Sequence, residues 1–266
     1  MRQIYPIQGP DLQVAARARP GPLPDAVTDL ARLYGNGTDW PAAGPRRRGW
    51  LRANMVASAD GAVTLHGRSG GLSGPADKML FTVLRSVADL VLVGAGTVRA
   101  EHYRPVQAPE IWTQLRAGDA PLPPIALVTA SLNLAGCERL LAVPPGPEQT
   151  IVITTSVAPA DRKAAVAGRV RLIEAGDHQV DLAAAMSALA DLGYLNILTE
   201  GGPRLLGQLA SGGLLDELCL TTSPVLAGGG AGRIVAGDLA DAGRLVLAHV
   251  LADGDFLFSR YLLAAT

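Results

Sequence analysis

The stretch Leu195-Asn-Ile-Leu-Thr-Glu-Gly-Gly-Pro-Arg-Leu-Leu-Gly-Gln-Leu209 decides how the rest of the chain is read. Leu195, Ile197 and Leu198 make a short β-type run, and Gly201 and Gly202 then let the backbone turn sharply. Pro203 stands where a helix begins, its fixed φ and missing amide hydrogen being harmless at a first helical position. Leu205, Leu206 and Leu209 give that helix a buried stripe. A strand that passes through glycines into a helix start points amide donors along the positive end of the helix dipole, a site for phosphate or another anion with Glu200 at its lip. The same pattern fits a tight strand-to-helix turn that holds nothing, and this stretch alone leaves both readings open.

Working outward toward the amino terminus, strand-like runs at 170–173, 150–154, 125–128 and 88–93 alternate with helical periodicity at 182–192 and 160–167. A helix starts at Gly74-Pro75-Ala76-Asp77 and carries the stripe Leu80, Val83, Leu84 and Val87. The unbroken apolar run 88–93 suits a sheet covered on both faces. Residues 50–57 read as a further strand that ends in the turn Ser58-Ala59-Asp60-Gly61, followed by a glycine- and serine-dense segment at 64–73. Residues 104–124 form a long proline-bearing connection. Val27, Leu30, Ala31 and Tyr34 have helical spacing, residues 40–49 read as an exposed connection, and residues 1–22 receive no firm structure.

On the carboxyl side, 217–222 reads as a strand, 223–244 as irregular, and 245–251 with 256–262 as a hairpin around Ala252-Asp-Gly-Asp255. Strands alternating with helices predict an α/β fold, a mostly parallel central sheet flanked by helices and finished by a C-terminal antiparallel hairpin. No internal repeat and no domain boundary is evident, so a single domain is expected.

The formal net charge of -1 argues against a nucleic-acid surface, and Arg46 to Arg48 fit a solvated loop. Cys137 and Cys219 are the only cysteines and lack metal-ligand spacing, which suits a reducing cytoplasm. The amino terminus lacks a signal pattern and no apolar run is long enough to span a bilayer, so neither membrane nor metal is expected.

Three loops, 58–61, 94–97 and 200–204, follow predicted strands and can converge on one crevice at the carboxyl edge of the sheet. Gly94-x-Gly96 does not complete a dinucleotide fingerprint, because Arg99 replaces the third glycine. No phosphate loop ending in Gly-Lys and no Gly-x-Ser-x-Gly elbow is present, and His66, His102 and His249 read as loop or structural residues. Asp77, in a first helical turn, can accept two parallel hydrogen bonds from an amino-pyrimidine or pterin edge. It also fits a helix-start aspartate with no ligand.

Taken together, Leu51-Arg-Ala-Asn-Met-Val-Ala-Ser-Ala-Asp-Gly61, Leu90-Val-Leu-Val-Gly-Ala-Gly-Thr-Val98 and Thr199-Glu-Gly-Gly-Pro-Arg-Leu205 resemble the reductase family of riboflavin biosynthesis. That family is the carboxy-terminal reductase domain of RibD, with a dihydrofolate-reductase-like fold, and the likeness is greatest to stand-alone actinobacterial members. It spans residues 50–262, leaving 1–49 as an N-terminal extension. The zinc-deaminase signature of bifunctional RibD proteins is missing.

The resemblance implies NADPH, with the nicotinamide around Ala57. It assigns the pyrophosphate to Gly94, Gly96, Thr97 and Val98 and to Glu200, Gly201, Gly202, Pro203, Arg204 and Leu205, and it sets Thr129 and Ser131 near the adenosine 2′-phosphate. Substrate contacts are expected from Asn54, Ser58, Asp60, Asp77 and Lys78. The family commonly has a small residue and then an arginine where this chain has Asp77 and Lys78. Lys78 can bind phosphate as a point charge without bidentate geometry, whereas Asp77 repels it.

Pro75-Ala76-Asp77 is similar to the helix start of dihydrofolate reductases, whose acidic residue grips a pterin edge. The resemblance therefore implies hydride transfer from NADPH to a C=N bond of a ribosylamino-pyrimidine or a dihydrofolate-like pterin, with Asp77 orienting the ring and helping protonation. It also implies a cytoplasmic homodimer acting on a small molecule. A non-catalytic NADP-binding or regulatory protein of the same fold is the alternative.

Overall fold

The computed structural model describes residues 1–5, 25–35, 49–108, 112–116, 120–239 and 243–263. The chain runs β1 (Arg2–Tyr5), α1 (Asp25–Tyr34), β2 (Trp50–Ser58), α2 (Pro75–Ser86), β3 (Leu90–Gly94), α3 (Ala95–Glu101), β4 (Ile125–Val128) and α4 (Glu138–Leu141). It continues through β5 (Ile151–Thr154), α5 (Ala160–Val166), β6 (Arg171–Glu174), α6 (Leu182–Asp191), β7 (Asn196–Thr199), α7 (Pro203–Ser211), β8 (Glu217–Ser223), β9 (Leu245–Asp253) and β10 (Phe256–Leu263).

These strands form one sheet in the order β1-β9-β10-β8-β2-β7-β3-β4-β5-β6. From β8 through β6 every pairing is parallel, while β10 pairs antiparallel with β8 and β9, and β1 with β9. The expected mostly parallel α/β sheet with a C-terminal antiparallel hairpin is therefore the fold observed.

Alternation along β3 shows why its sequence is apolar throughout. Leu90 and Leu92 pack with α6 and α7, whereas Val91 and Val93 join α3, α4 and α5 on the opposite face. A third apolar cluster sets α1 and α2 against Leu198, Cys219, Leu251 and Phe258. Within α2, Leu80, Val83 and Leu84 bury one helical stripe, with Pro75 at the first position and Gly74 as the N-cap.

Three expectations change. Residues 2–5, given no structure from sequence, add β1 to the outer edge, and the Met1 amino group lies 3.5 Å from Asp253. Residues 95–97, expected within a loop, already form the first turn of α3 directly after β3. The short helix α4 lies in a segment to which no helix was assigned. The expectations for residues 6–22 and 40–48 lie outside the described residues.

A buried ionic cluster anchors α1 at the amino-terminal ends of β2 and β8, where Arg52 pairs in register with Glu217. Glu217 is fully buried and accepts from Arg52 Nε at 2.8 Å, Arg260 Nε at 2.8 Å and Trp50 Nε1 at 3.0 Å. The same guanidinium groups donate to the last carbonyls of α1, Arg52 to Tyr34 at 2.6 Å and Arg260 to Leu33 at 2.8 Å. These are carbonyls without intrahelical partners, at the negative end of the helix. Burial pushes the Glu217 carboxyl upward, but the two arginines outweigh it and hold its pKa at about 2. Burial, aided by Arg260, lowers His249 to about 4, with its ring edge-on to Tyr34 at 4.9 Å.

Candidate active site

A cleft of about 1200 Å³ opens at the carboxyl ends of β2, β3, β4 and β7. This is where the sheet's parallel strands hand over to their loops, the usual position for a ligand in such a fold. Helix α2 forms one wall. Its Asp77, Phe81 and Arg85 recur every fourth residue and line the cleft, beside the buried leucine and valine stripe.

The two glycine turns meet across the cleft floor. Gly94 N donates to Gly201 O at 3.0 Å, and Gly202 N donates to Thr97 Oγ1 at 2.9 Å. A Cβ on Gly202 would fall inside contact distance of Thr97 Oγ1, so the approach of α7 to α3 requires glycine there. A Cβ on Gly96 would meet nothing within 4 Å, leaving its backbone open.

Glu200 does not extend freely from the turn. Its carboxylate accepts from Arg85 at 2.6 and 2.7 Å and from the Tyr103 hydroxyl at 2.6 Å. Arg85 also lies over the Phe81 ring, 4.3 Å from its centroid. Burial and the Glu200 charge push the Tyr103 hydroxyl well above its usual pKa, so it stays a donor.

Asp77 is 7% exposed and borders the cleft. Ser73 Oγ donates to its Oδ2 at 2.6 Å, and among the described residues no cation is paired with it. Asn54, on β2, brings a buried Oδ1 without a protein partner to the same cavity.

Of the residues singled out from sequence, Asn54, Asp77, Lys78, Gly94, Gly96, Thr97, Thr129, Glu200, Gly202, Pro203, Arg204 and Leu205 line this one cleft. The others lie elsewhere. Val98 is fully buried in the apolar cluster beneath α3 and does not line the cleft. Gly201 is buried with Met55 against it. Ser131 is exposed beyond the cleft, and its carbonyl accepts from Arg162 at 2.8 Å.

Ser58 and Asp60 hydrogen-bond to each other, and Asp60 also accepts from the amides of Ala227 and Gly228. These bonds tie the β2 turn to the glycine-rich segment after β8 and lower the Asp60 pKa to about 2. Ala57 and Asp60 line a neighbouring cavity of about 440 Å³, which shares Arg233 with the main cleft.

Sequence reasoning missed Phe81, Arg85, Arg99, Tyr103 and Arg233. The four-residue spacing of Asp77, Phe81 and Arg85 was a legible signal. Nothing local marked Tyr103 or Arg233, which reach the cleft from irregular segments.

The cleft carries Lys78, Arg85, Arg99, Arg104, Arg204 and Arg233 against Asp77, Glu101 and Glu200, an excess of positive charge on a chain whose net charge is -1. That field favours anionic ligands. No cluster of metal-ligating side chains occurs among the described residues, and no helix among them is long and apolar enough to cross a membrane.

Comparison with known proteins is consistent with this geometry. The chain is 29% identical over 220 residues to the 2,5-diamino-6-ribosylamino-4(3H)-pyrimidinone 5′-phosphate reductase of Methanothermobacter thermautotrophicus, covering 80% of this chain and 98% of that protein. It is 27% identical over 185 residues to the protein of the same name from Archaeoglobus fulgidus, covering 68% and 83% respectively. A crystal structure of a pyrimidine reductase-like protein from Corynebacterium diphtheriae superposes with a TM-score of 0.71 at 26% identity, covering 89% of this chain and 99% of that one. Residues 49–257 match the family described as the RibD C-terminal domain, an oxidoreductase family that implies a nicotinamide cofactor, and the chain belongs to that family.

Proposed function

We propose that this protein is an NADPH-dependent reductase of a 2,5-diamino-6-ribosylamino-4(3H)-pyrimidinone 5′-phosphate. The observation that carries the reading is the cationic cleft in which the adjoined turns at Gly94–Thr97 and Gly202–Arg204 meet Asp77 and Lys78 on α2. The names of the two archaeal relatives supply the substrate class.

When bound, the nicotinamide supplies hydride to the C1′=N carbon of the ring-opened ribosylamine while the nitrogen takes up a proton, leaving a ribityl chain. The chain's own residues bind and orient. The open backbone at Gly96 and the amide-rich turn before α7, with Arg204, hold the pyrophosphate. Lys78 takes the ribose phosphate as a point charge. Asp77 fixes the pyrimidine edge, which limits the poses the acceptor can adopt.

NADPH is preferred over NADH in this reading because Arg99 and Arg162 both reach the loop after β4. They donate to the carbonyls of Asn133 and Ser131, at 3.3 and 2.8 Å, beside Thr129. The chain acts as one reductase domain in a cytoplasmic homodimer, in keeping with its two free cysteines. A light-scattering mass of a single chain would count against the dimer.

The decisive assay follows oxidation of NADPH and NADH with the ribosylamino-pyrimidine phosphate and with dihydrofolate. Turnover of the pyrimidine with NADPH is expected. Binding of NADPH without turnover on either acceptor would support the non-catalytic alternative.

A further inference from the structure

We propose that His102 is a positioning residue for the acceptor. As a neutral imidazole it takes a hydrogen bond from Arg68 and so clasps the 64–73 loop to the end of α3; protonation of the ring opens the clasp and weakens acceptor binding. The inference rests on the reductase reading above and adds to it a pH dependence built into the cleft wall.

The loop joins the turn after β2 to the start of α2, and its Thr64, Gly67, Ser69, Gly70 and Ser73 line the cleft. Leu65 and Arg68 exchange backbone hydrogen bonds at 2.8 and 3.1 Å around the turn His66-Gly67, where both residues have positive φ. Leu72 is fully buried and seats the far end of the loop, beside Ser73, which donates to Asp77 at 2.6 Å.

Two side chains at the carboxyl end of α3 hold this loop. Ser69 N donates to Glu101 Oε1 at 2.8 Å, and Arg68 Nη2 lies 2.8 Å from His102 Nε2. A guanidinium donates and has no acceptor, so His102 Nε2 is the acceptor and the ring is neutral, with its hydrogen on Nδ1. An added proton occupies the lone pair that Arg68 uses and sets two cations against each other.

The other titratable or charged groups on the adjoining elements are His66 on the loop, Arg99 and Glu101 on α3, Arg104 beyond it, and Asp77 and Lys78 on α2. Among the described residues, Arg68 alone is hydrogen-bonded to the His102 ring, and Glu101 is engaged by Ser69. Helix α3 begins at the turn assigned to the pyrophosphate and ends at this clasp, so one short helix holds a cofactor turn and the acceptor loop. Arg68 and His102 are exposed, which sets the effect at a few-fold and leaves the fold insensitive to their replacement.

The experiment compares wild type, His102→Gln and Arg68→Ala at about pH 8 and about pH 5. Glutamine can accept from Arg68 and does not titrate. One readout is hydrogen exchange of the 64–73 amides by mass spectrometry, corrected for the intrinsic rate. The other is KM for the ribosylamino-pyrimidine phosphate at saturating NADPH. Between the two pH values, wild type is expected to lose protection and gain KM by about five-fold more than His102→Gln does. That comparison cancels the titration of the acceptor's own phosphate. Arg68→Ala should show the open loop and the raised KM at both pH values, and NADPH affinity should follow one pH course in all three proteins.

The same pH course of KM and protection in wild type and His102→Gln overturns the inference and leaves the reductase reading intact. Absence of turnover at both pH values overturns the reductase reading, and loop protection then decides the clasp by the same comparison.

Discussion

At the scale of single residues, the wall of the cleft depends on Glu200 being held by partners inside the protein. Arg85 and Tyr103 converge on its two oxygens, so the carboxylate in the turn before α7 is a brace for α2. Removing one charge of a buried pair takes from the other the counter-charge it meets at 2.6 and 2.7 Å. Glu200→Gln is therefore expected to destabilise the fold by about 3 kcal/mol, read as a lower denaturant midpoint at unchanged slope. An unchanged midpoint would mean that Arg85 has another sufficient partner. The motif around Glu200 was legible in sequence, but its partners were not, because Arg85 lies 115 positions away and Tyr103 97 positions away.

At the scale of elements, the contact between α3 and α7 joins the two turns into one surface. Gly202→Ala would press a methyl group against Thr97 Oγ1 and displace the amide that donates to it. NADPH affinity is expected to fall about tenfold or more by titration, as a misplaced binding turn loses much of its effect. An affinity equal to wild type would separate this turn from the pyrophosphate.

The docking of α1 responds to pH instead. His249 is held at about 4 against an ordinary 6.5, so the unfolded chain takes up the proton more readily. Its contribution is present above pH 6.5 and is lost as pH falls toward 4. Glu217, held at about 2, loses its contribution only as pH falls from 4.5 toward 2. His249→Phe, which keeps a ring against Tyr34, should flatten the decline in unfolding free energy between pH 6.5 and 4. The same decline in both proteins would reject this origin.

For the whole molecule, charge is divided between a cationic cleft and a surface that brings the net value to -1. If both ligands are phosphorylated, kcat/KM should fall as ionic strength rises from low salt to about 0.15 M, where the screening length shortens to about 8 Å. A salt-independent value would mean that the cleft's cations are neutralised by neighbours before a ligand arrives.

Order along the chain was strongly encoded. The 88–93 run, the Pro75 and Pro203 helix starts and the 252–255 turn are local signals, since backbone preference and burial period act over a few residues. The strand at Arg2–Tyr5 escaped because an edge strand of four residues owes its existence to β9, not to its own pattern.

By itself the sequence determined the alternation of strands and helices, the glycine turns at the carboxyl ends of β3 and β7, and the carboxylate in the first turn of α2. Only the tertiary structure decided that Glu200 is spent on Arg85 and Tyr103 while Asp77 still has acceptors facing the cleft. The physical reason is range. Dihedral preference and hydrophobic period are properties of neighbouring residues, whereas the availability of a buried carboxylate depends on which distant donors the packed sheet brings within hydrogen-bond reach.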